Sequence, residues 1–290
     1  MSRSPEVVIK RETLEGLSME RMTSLVGTIA MAAVMLAACT TTTEKGTVGV
    51  ERSQFLLVSS AEIDQSAALA YQKVLQEQSP KGNVNRDPQQ VERVRAIAKR
   101  IIPQTAVFRK DAPDWKWEVN VLTSPQINAW CMPGGKIAFY TGILEKLQST
   151  DDEIAAVMGH EISHALREHG RERASQQVAT SVGASAVGAV LGVGQTGADL
   201  AGIVGQVTFL LPYSRIHETE ADRMGVELAA RAGYDPRAAI TLWQKMAKIS
   251  GEGGPPALLS THPSHADRIK DLGEFSQRVL PLYEQARATK

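Results

Sequence analysis

The sequence predicts an α+β fold, mostly helical, in which a small β-sheet lies beside one deeply buried helix. Three observations carry this reading. Apolar residues recur at helical spacing along much of the chain, as in Val91, Val94, Ile97, Ala98 and Ile101. Strand-like alternation is confined to short stretches, Trp117 to Val121 and Ile137 to Tyr140, on either side of the turn-forming Pro133-Gly134-Gly135. The run from Ile154 to Leu166 is rich in Ile, Ala, Val and Met around His160, Glu161 and His164, so that helix is expected inside the protein with its polar groups partnered.

The 290 residues are 43% hydrophobic and 22% charged, which suits one globular domain, or at most two, with a real core. Lys+Arg and Asp+Glu are both 32, which leaves no basic surplus to neutralise phosphates and argues against a nucleic-acid partner. Leu25 to Ala38 is an apolar run too short to span a bilayer and suited to the core of an export signal. It ends Leu36-Ala37-Ala38-Cys39, which resembles the lipobox of bacterial lipoproteins. That resemblance implies lipidation at Cys39, and Thr40 after it implies the outer membrane, with the domain facing the periplasm. The alternative is an ordinary secretory signal with an incidental cysteine. Residues 1–38 are thus read as a lipoprotein signal peptide, 39–59 as a lipidated N-terminus and tether, and 60–290 as the folded domain. Cys131 is then expected to be buried and inert.

Ser60 can cap a first helix carrying Ile63, Ala67, Ala70, Val74 and Leu75, broken at Ser79-Pro80-Lys81-Gly82. Asp87-Pro88 opens the next, which stops before Pro103. Ile137, Ala138, Phe139 and Tyr140 form a strand, read as an edge able to pair with an extended peptide or, more simply, as half of a hairpin. Thr150 to Glu153 has the form of a capping box and starts the buried helix, which is expected to run on past Arg173. Ala179 to Leu211 reads as a packed helical hairpin, or else as a mobile flap or a patch dipping into a lipid surface, and Gly251 to Pro256 as a flexible loop. A last helix carries Ile269, Leu272 and Phe275.

His160 and His164 are four residues apart, one helical turn, so both rings lie on one face and can grip a zinc ion. Glu161 beside them can polarise a water. His169, five residues on, is about 140° round a continuous helix and reads as surface. A catalytic zinc takes three protein ligands. Glu218 and Asp222 share a face of a later helix and fit as ligand and as the carboxylate that steadies a ligating histidine. Glu220 points away from both.

These stretches, with Asn128-Ala129, Pro133-Gly134-Gly135 and Thr261-His262-Pro263 followed by Arg268-Ile269, resemble the gluzincin zinc metallopeptidases of the HtpX, BepA and LoiP type (peptidase family M48). The resemblance runs from about Ser60 to Leu272 and implies a zincin-type domain that cleaves peptide bonds, often in misfolded or membrane-associated proteins. It implies His160, His164 and Glu218 as zinc ligands, Glu161 as the general base, and His262 as a histidine able to block the site. Arg268 is a candidate to bind the oxyanion or substrate; the plainer reading of His262 is a loop histidine capping local backbone. The partners expected are protein or peptide substrates and a membrane reached through the lipid, in the bacterial cell envelope. Two rivals stay open: a non-catalytic zinc-containing lipoprotein with a chaperone or assembly role, and a zinc-transport module.

Overall fold

The computed structural model describes residues 39–186, 197–253, 256–263 and 267–289. The expected export signal, the middle of the Ala179–Leu211 stretch and residues 254–255 of the Gly251–Pro256 loop lie outside the described residues. In chain order the elements are β1 (Cys39–Thr40), β2 (Gln54–Phe55), α1 (Ser60–Gln78), α2 (Pro88–Ile101), β3 (Glu118–Leu122), β4 (Ala129–Met132), β5 (Lys136–Tyr140), α3 (Thr141–Glu145), α4 (Asp151–Leu166), α5 (His169–Ala186), α6 (Gly197–Phe209), α7 (Arg215–Arg231), α8 (Ala238–Gly253), α9 (Ala257–Thr261) and α10 (Arg268–Ala288). The α+β, mostly helical class is as expected.

Helix starts follow local chemistry. Thr150 makes the capping box with Glu153 at the head of α4. Asp87 accepts from the N–H groups of Gln89 and Gln90 ahead of α2. The cap of α1 is Ser59, one residue before the expected Ser60, whose hydroxyl instead donates to Glu168. α8 continues to Gly253, through half of the stretch read as loop.

The sheet has the order β3-β5-β4, with β3 and β5 parallel and β4 and β5 antiparallel. Met132 to Gly135 makes the hairpin turn, with φ of 73° at Gly134 and 82° at Gly135, values that favour glycine. This corrects the reading of Ile137, Ala138, Phe139 and Tyr140 as an edge. Their strand is the central one, hydrogen-bonded on both sides, so its backbone has no pairing left to give a substrate. Among the described residues the strand with one open side facing the site is β4, which lies against α4.

α4 is buried from Glu153 to Leu166, and α7 packs along it. The two helices approach closely because glycine meets glycine. A Cβ on Gly159 would stand 2.6 Å from the Gly225 carbonyl oxygen, and one on Gly225 would stand 2.7 Å from the His160 nitrogen. Backbone contact at this crossing is what carries side chains of α7 to the histidines of α4. Ile154, Met158, Ile162 and Leu166 on α4 join Met224 and Leu228 on α7 in the main core, each worth roughly 1.5–3 kcal/mol of burial. A second apolar layer unites Ile63, Ala67 and Tyr71 of α1 with Trp130, Met132, Leu200 and Val204, which docks α6 on α1.

The segment expected to be a tether is instead built into the domain. β1 pairs with β2, Val48, Val50 and Leu56 are buried, and the N–H groups of Thr47 and Val48 donate to Glu227 at 2.8 and 3.1 Å. The sequence there looks like a linker because its anchoring is polar and non-local. Cys39 is exposed and Cys131 is buried; burial pushes the Cys131 thiol well up, as expected of an inert thiol.

Among the described residues no helix is long and apolar enough to cross a membrane.

Candidate metal centre

The one-turn spacing of His160 and His164 brings their Nε2 atoms to 3.1 Å on the buried face of α4. Glu218, in the first turn of α7 after the Ser214 cap, lies with Oε2 3.6 Å from His160 Nε2 and Oε1 3.4 Å from His164 Nε2. His262, just beyond α9, brings Nδ1 to 3.1 Å from His160 Nε2 and 3.0 Å from Glu218 Oε1. One ligand atom from each of these four residues falls within 4.8 Å of all the others. Each of the four is almost inaccessible to solvent.

The donor set fits one zinc ion. His160 Nδ1 faces Asp222 Oδ1 at 2.9 Å, so that nitrogen carries the proton and Nε2 turns its lone pair to the cluster. Zinc–nitrogen bonds of about 2.0 Å put neighbouring ligand nitrogens roughly 3.3 Å apart in a tetrahedron, close to the spacing here. Glu161 Oε1 is buried with no hydrogen-bond partner, and Glu218 Oε2, although Arg268 Nη1 is 2.8 Å away, lacks a well-directed hydrogen bond. Unpaired carboxylate oxygens at this depth are costly unless a cation is near. The local field agrees: burial would keep His262 neutral, but Glu161 and Glu218 outweigh it and raise its proton affinity. Burial likewise raises the Glu161 carboxyl, against the pull of His262 and His160. Burial would raise Glu218 too, yet His262, His164 and His160 hold it well below the usual carboxylate range.

Asp222 lies against His160 Nδ1. Burial is outweighed by Arg268 and His160, which hold its carboxyl below the usual range. Arg268 is buried against the same carboxylates. Its guanidinium reaches Asp222 from Nε at 2.7 Å and Nη2 at 2.8 Å, and it lies over the Trp243 ring at 3.4 Å, wholly buried. It faces Asp222 and Glu218 from within the protein.

Two further expectations are corrected together. His169 is fully buried, not on the surface, and its Nδ1 is 2.9 Å from His164 Nδ1. The continuous-helix argument fails because α4 ends at Leu166, Glu168 takes φ of 51°, and α5 starts afresh at His169. Glu220 does point away from Glu218, but into this same network: its Oε2 is 2.9 Å from His169 Nε2, and Arg167 and Arg52 also reach it. His217 stacks on His169 with ring centroids 4.4 Å apart. All five histidines among the described residues therefore gather here. Tyr213, also unforeseen, lays its ring 4.0 Å from that of His164 and 5.2 Å from that of His262. A lone aromatic after Pro212 carries no sequence signal of such a role.

A cleft of about 280 Å³ opens onto the cluster. β4 residues Ala129, Trp130 and Cys131 form one wall, Thr208, Phe209 and Tyr213 the other, with Glu161 and His262 at its floor.

The pattern described as Peptidase family M48 matches residues 88–276. Mitochondrial metalloendopeptidase OMA1 of Arabidopsis thaliana is 37% identical over 174 residues, covering 59% of this chain and 34% of that protein. The protein of the same name in Schizosaccharomyces pombe is 35% identical over 187 residues, covering 63% and 52%. The Beta-barrel assembly-enhancing protease of Escherichia coli is 28% identical over 177 residues, covering 57% and 36%. The chain thus spans about half the length, or less, of these curated relatives. The matches overturn the location expected from the N-terminus. Relatives at 35 to 37% identity carry a mitochondrial name, while the bacterial proteases stand at 28 and 31%, so a lipid-anchored place on a bacterial outer membrane is not supported.

Proposed function

This chain belongs to peptidase family M48, and from that premise we propose that it is a zinc-dependent endopeptidase acting on misfolded or membrane-associated proteins. The observation that carries the reading is the convergence of His160, His164 and Glu218 from two helices onto one point, with the unpartnered Glu161 oxygen beside it at the floor of a cleft. His160, His164 and Glu218 would hold the zinc. When bound, zinc supplies Lewis acidity toward a water and the scissile carbonyl. Glu161 takes the proton of the attacking water and delivers it to the leaving amine. Asp222 holds the His160 ring. β4 offers backbone groups to a substrate in extended form, which favours unfolded segments over compact domains.

The test is casein hydrolysis by the purified chain, with and without chelator, alongside Glu161→Gln. The wild type should cleave and lose activity to the chelator. Glu161→Gln should keep zinc and lose turnover by about 10²–10⁴-fold. Cleavage by Glu161→Gln at the wild-type rate would overturn the mechanism.

A further inference from the structure

We propose that His169 and Glu220 are positioning residues for the metal, acting through His164: they orient its ring and fix which of its nitrogens carries the proton. This rests on the zinc reading above. The argument is one of donors and acceptors. Glu220 is a carboxylate that meets His169 Nε2 at 2.9 Å, so Nε2 donates. On the zinc reading, His164 Nε2, aimed at His160 Nε2 and Glu218, is a lone pair. The ring proton of His164 then sits on Nδ1 and is donated to the atom 2.9 Å away, His169 Nδ1. His169 accepts there and donates from Nε2 to Glu220, so one direction of donation satisfies both contacts.

Each first histidine is thus steadied by a carboxylate, but by different routes. His160 meets Asp222 directly, whereas His164 meets Glu220 through an intervening imidazole. The indirect route follows from the helix break at Arg167 and Glu168, which places a ring between His164 and α7. Glu220 is itself fixed. Arg52 approaches its two oxygens at 3.0 and 3.1 Å, and Arg167 adds 3.1 Å to Oε1. Arg167 in turn holds the Arg52 carbonyl at 2.9 Å and the Thr41 and Thr43 hydroxyls at 3.1 and 3.2 Å. The relay therefore ends in the N-terminal segment, and that segment is part of the support of the site. Losing an outer partner of a ligating histidine typically costs ten- to a hundredfold in metal affinity.

The experiment measures zinc affinity by chelator competition, and the visible spectrum of the cobalt-substituted protein, for the full chain and three variants. His169→Leu removes the acceptor and should bind zinc roughly 10–100-fold more weakly, with an altered cobalt spectrum. His169→Asn places an amide oxygen where Nδ1 was and should recover most of the affinity. His169→Gln reaches toward Glu220 but offers nothing at the Nδ1 position, and should stay weak. If His169→Leu does not fold, the Asn and Gln pair still decides: equal affinity in the two overturns the proposal, as does wild-type affinity in His169→Leu. Failure of the wild type itself to bind zinc would instead bring down the metal reading.

Discussion

Asp222 Oδ1 lies 2.9 Å from His160 Nδ1, within the protein and 62 residues away in sequence. The contact exists because the glycine crossing of α4 and α7 lets the Asp222 turn reach the His160 turn. A neutral amide at this place keeps the shape and loses the anion that draws the ring proton. Asp222→Asn should therefore fold and bind zinc about 10–100-fold more weakly. Chelator competition measures this, and wild-type affinity would separate Asp222 from the metal.

Arg268 is the buried counter-charge for two carboxylates, Asp222 and Glu218. Arg268→Met leaves both without it, and breaking a buried pair from one side costs about 3–5 kcal/mol. Lysine should not rescue, since one ammonium cannot copy a fork that meets Asp222 from Nε and Nη2 while Nη1 faces Glu218. Urea unfolding reads the loss. An Arg268→Met protein of unchanged stability but raised KM would return Arg268 to the substrate.

What was legible in the sequence was local. His160, Glu161 and His164 share one helix, and Glu218 and Asp222 another, so a helical period alone aligns each set. The capping box at Thr150 was legible for the same reason. What was hidden depends on distant pairing. β5 became central only because β3 joins it in parallel from across the sequence, which no alternation pattern encodes. His169 escapes a sequence reading because a helix continued through Arg167 and Glu168 would put it on the surface, and neither proline nor glycine stands at those two positions to mark the stop. Glu220 was sent to the correct side, but the partners waiting there arrive from the N-terminal segment and from α5. That segment looked like a tether because its hold is through Arg52, Gln54 and Thr43 rather than an apolar stripe.

Glu172 on α5 gives a prediction in acid. It is buried, which would raise its carboxyl, yet Arg52, His217 and Gln54 outweigh burial and bring it far below its ordinary value of 4.5. A carboxylate depressed by folding contributes stability that is full above the unfolded value and is lost as the pH falls toward the folded one. Stability should thus drop as the pH is taken below 4.5. In Glu172→Gln the drop should be shallower, although the variant starts less stable at neutral pH. Urea midpoints from neutrality down to about pH 3 measure the slope. Equal slopes would show that this carboxylate does not govern acid unfolding.

His262 sits where a fourth zinc ligand would sit. Its Nδ1 is 3.0 Å from Glu218 Oε1 and 3.1 Å from His160 Nε2, and its Nε2 is 3.5 Å from Glu161 Oε1, so the one ring faces both the proposed ligands and the proposed general base. It is held there by its own backbone, with His262 N–H donating to Leu258 and the Thr261 carbonyl accepting from Tyr213 N–H. A nitrogen ligand in this place competes with the water that the reaction consumes. This supports the blocking role over the capping one. Three ligands remain without it, so His262→Ala should keep zinc and show faster casein cleavage. A histidine that stabilised the transition state would give the opposite sign, a lower kcat with zinc retained. The two readings are separated by one pair of assays on the same preparation, zinc content and initial rate, and an unchanged rate would leave His262 as a loop residue that merely closes the backbone at the end of α9.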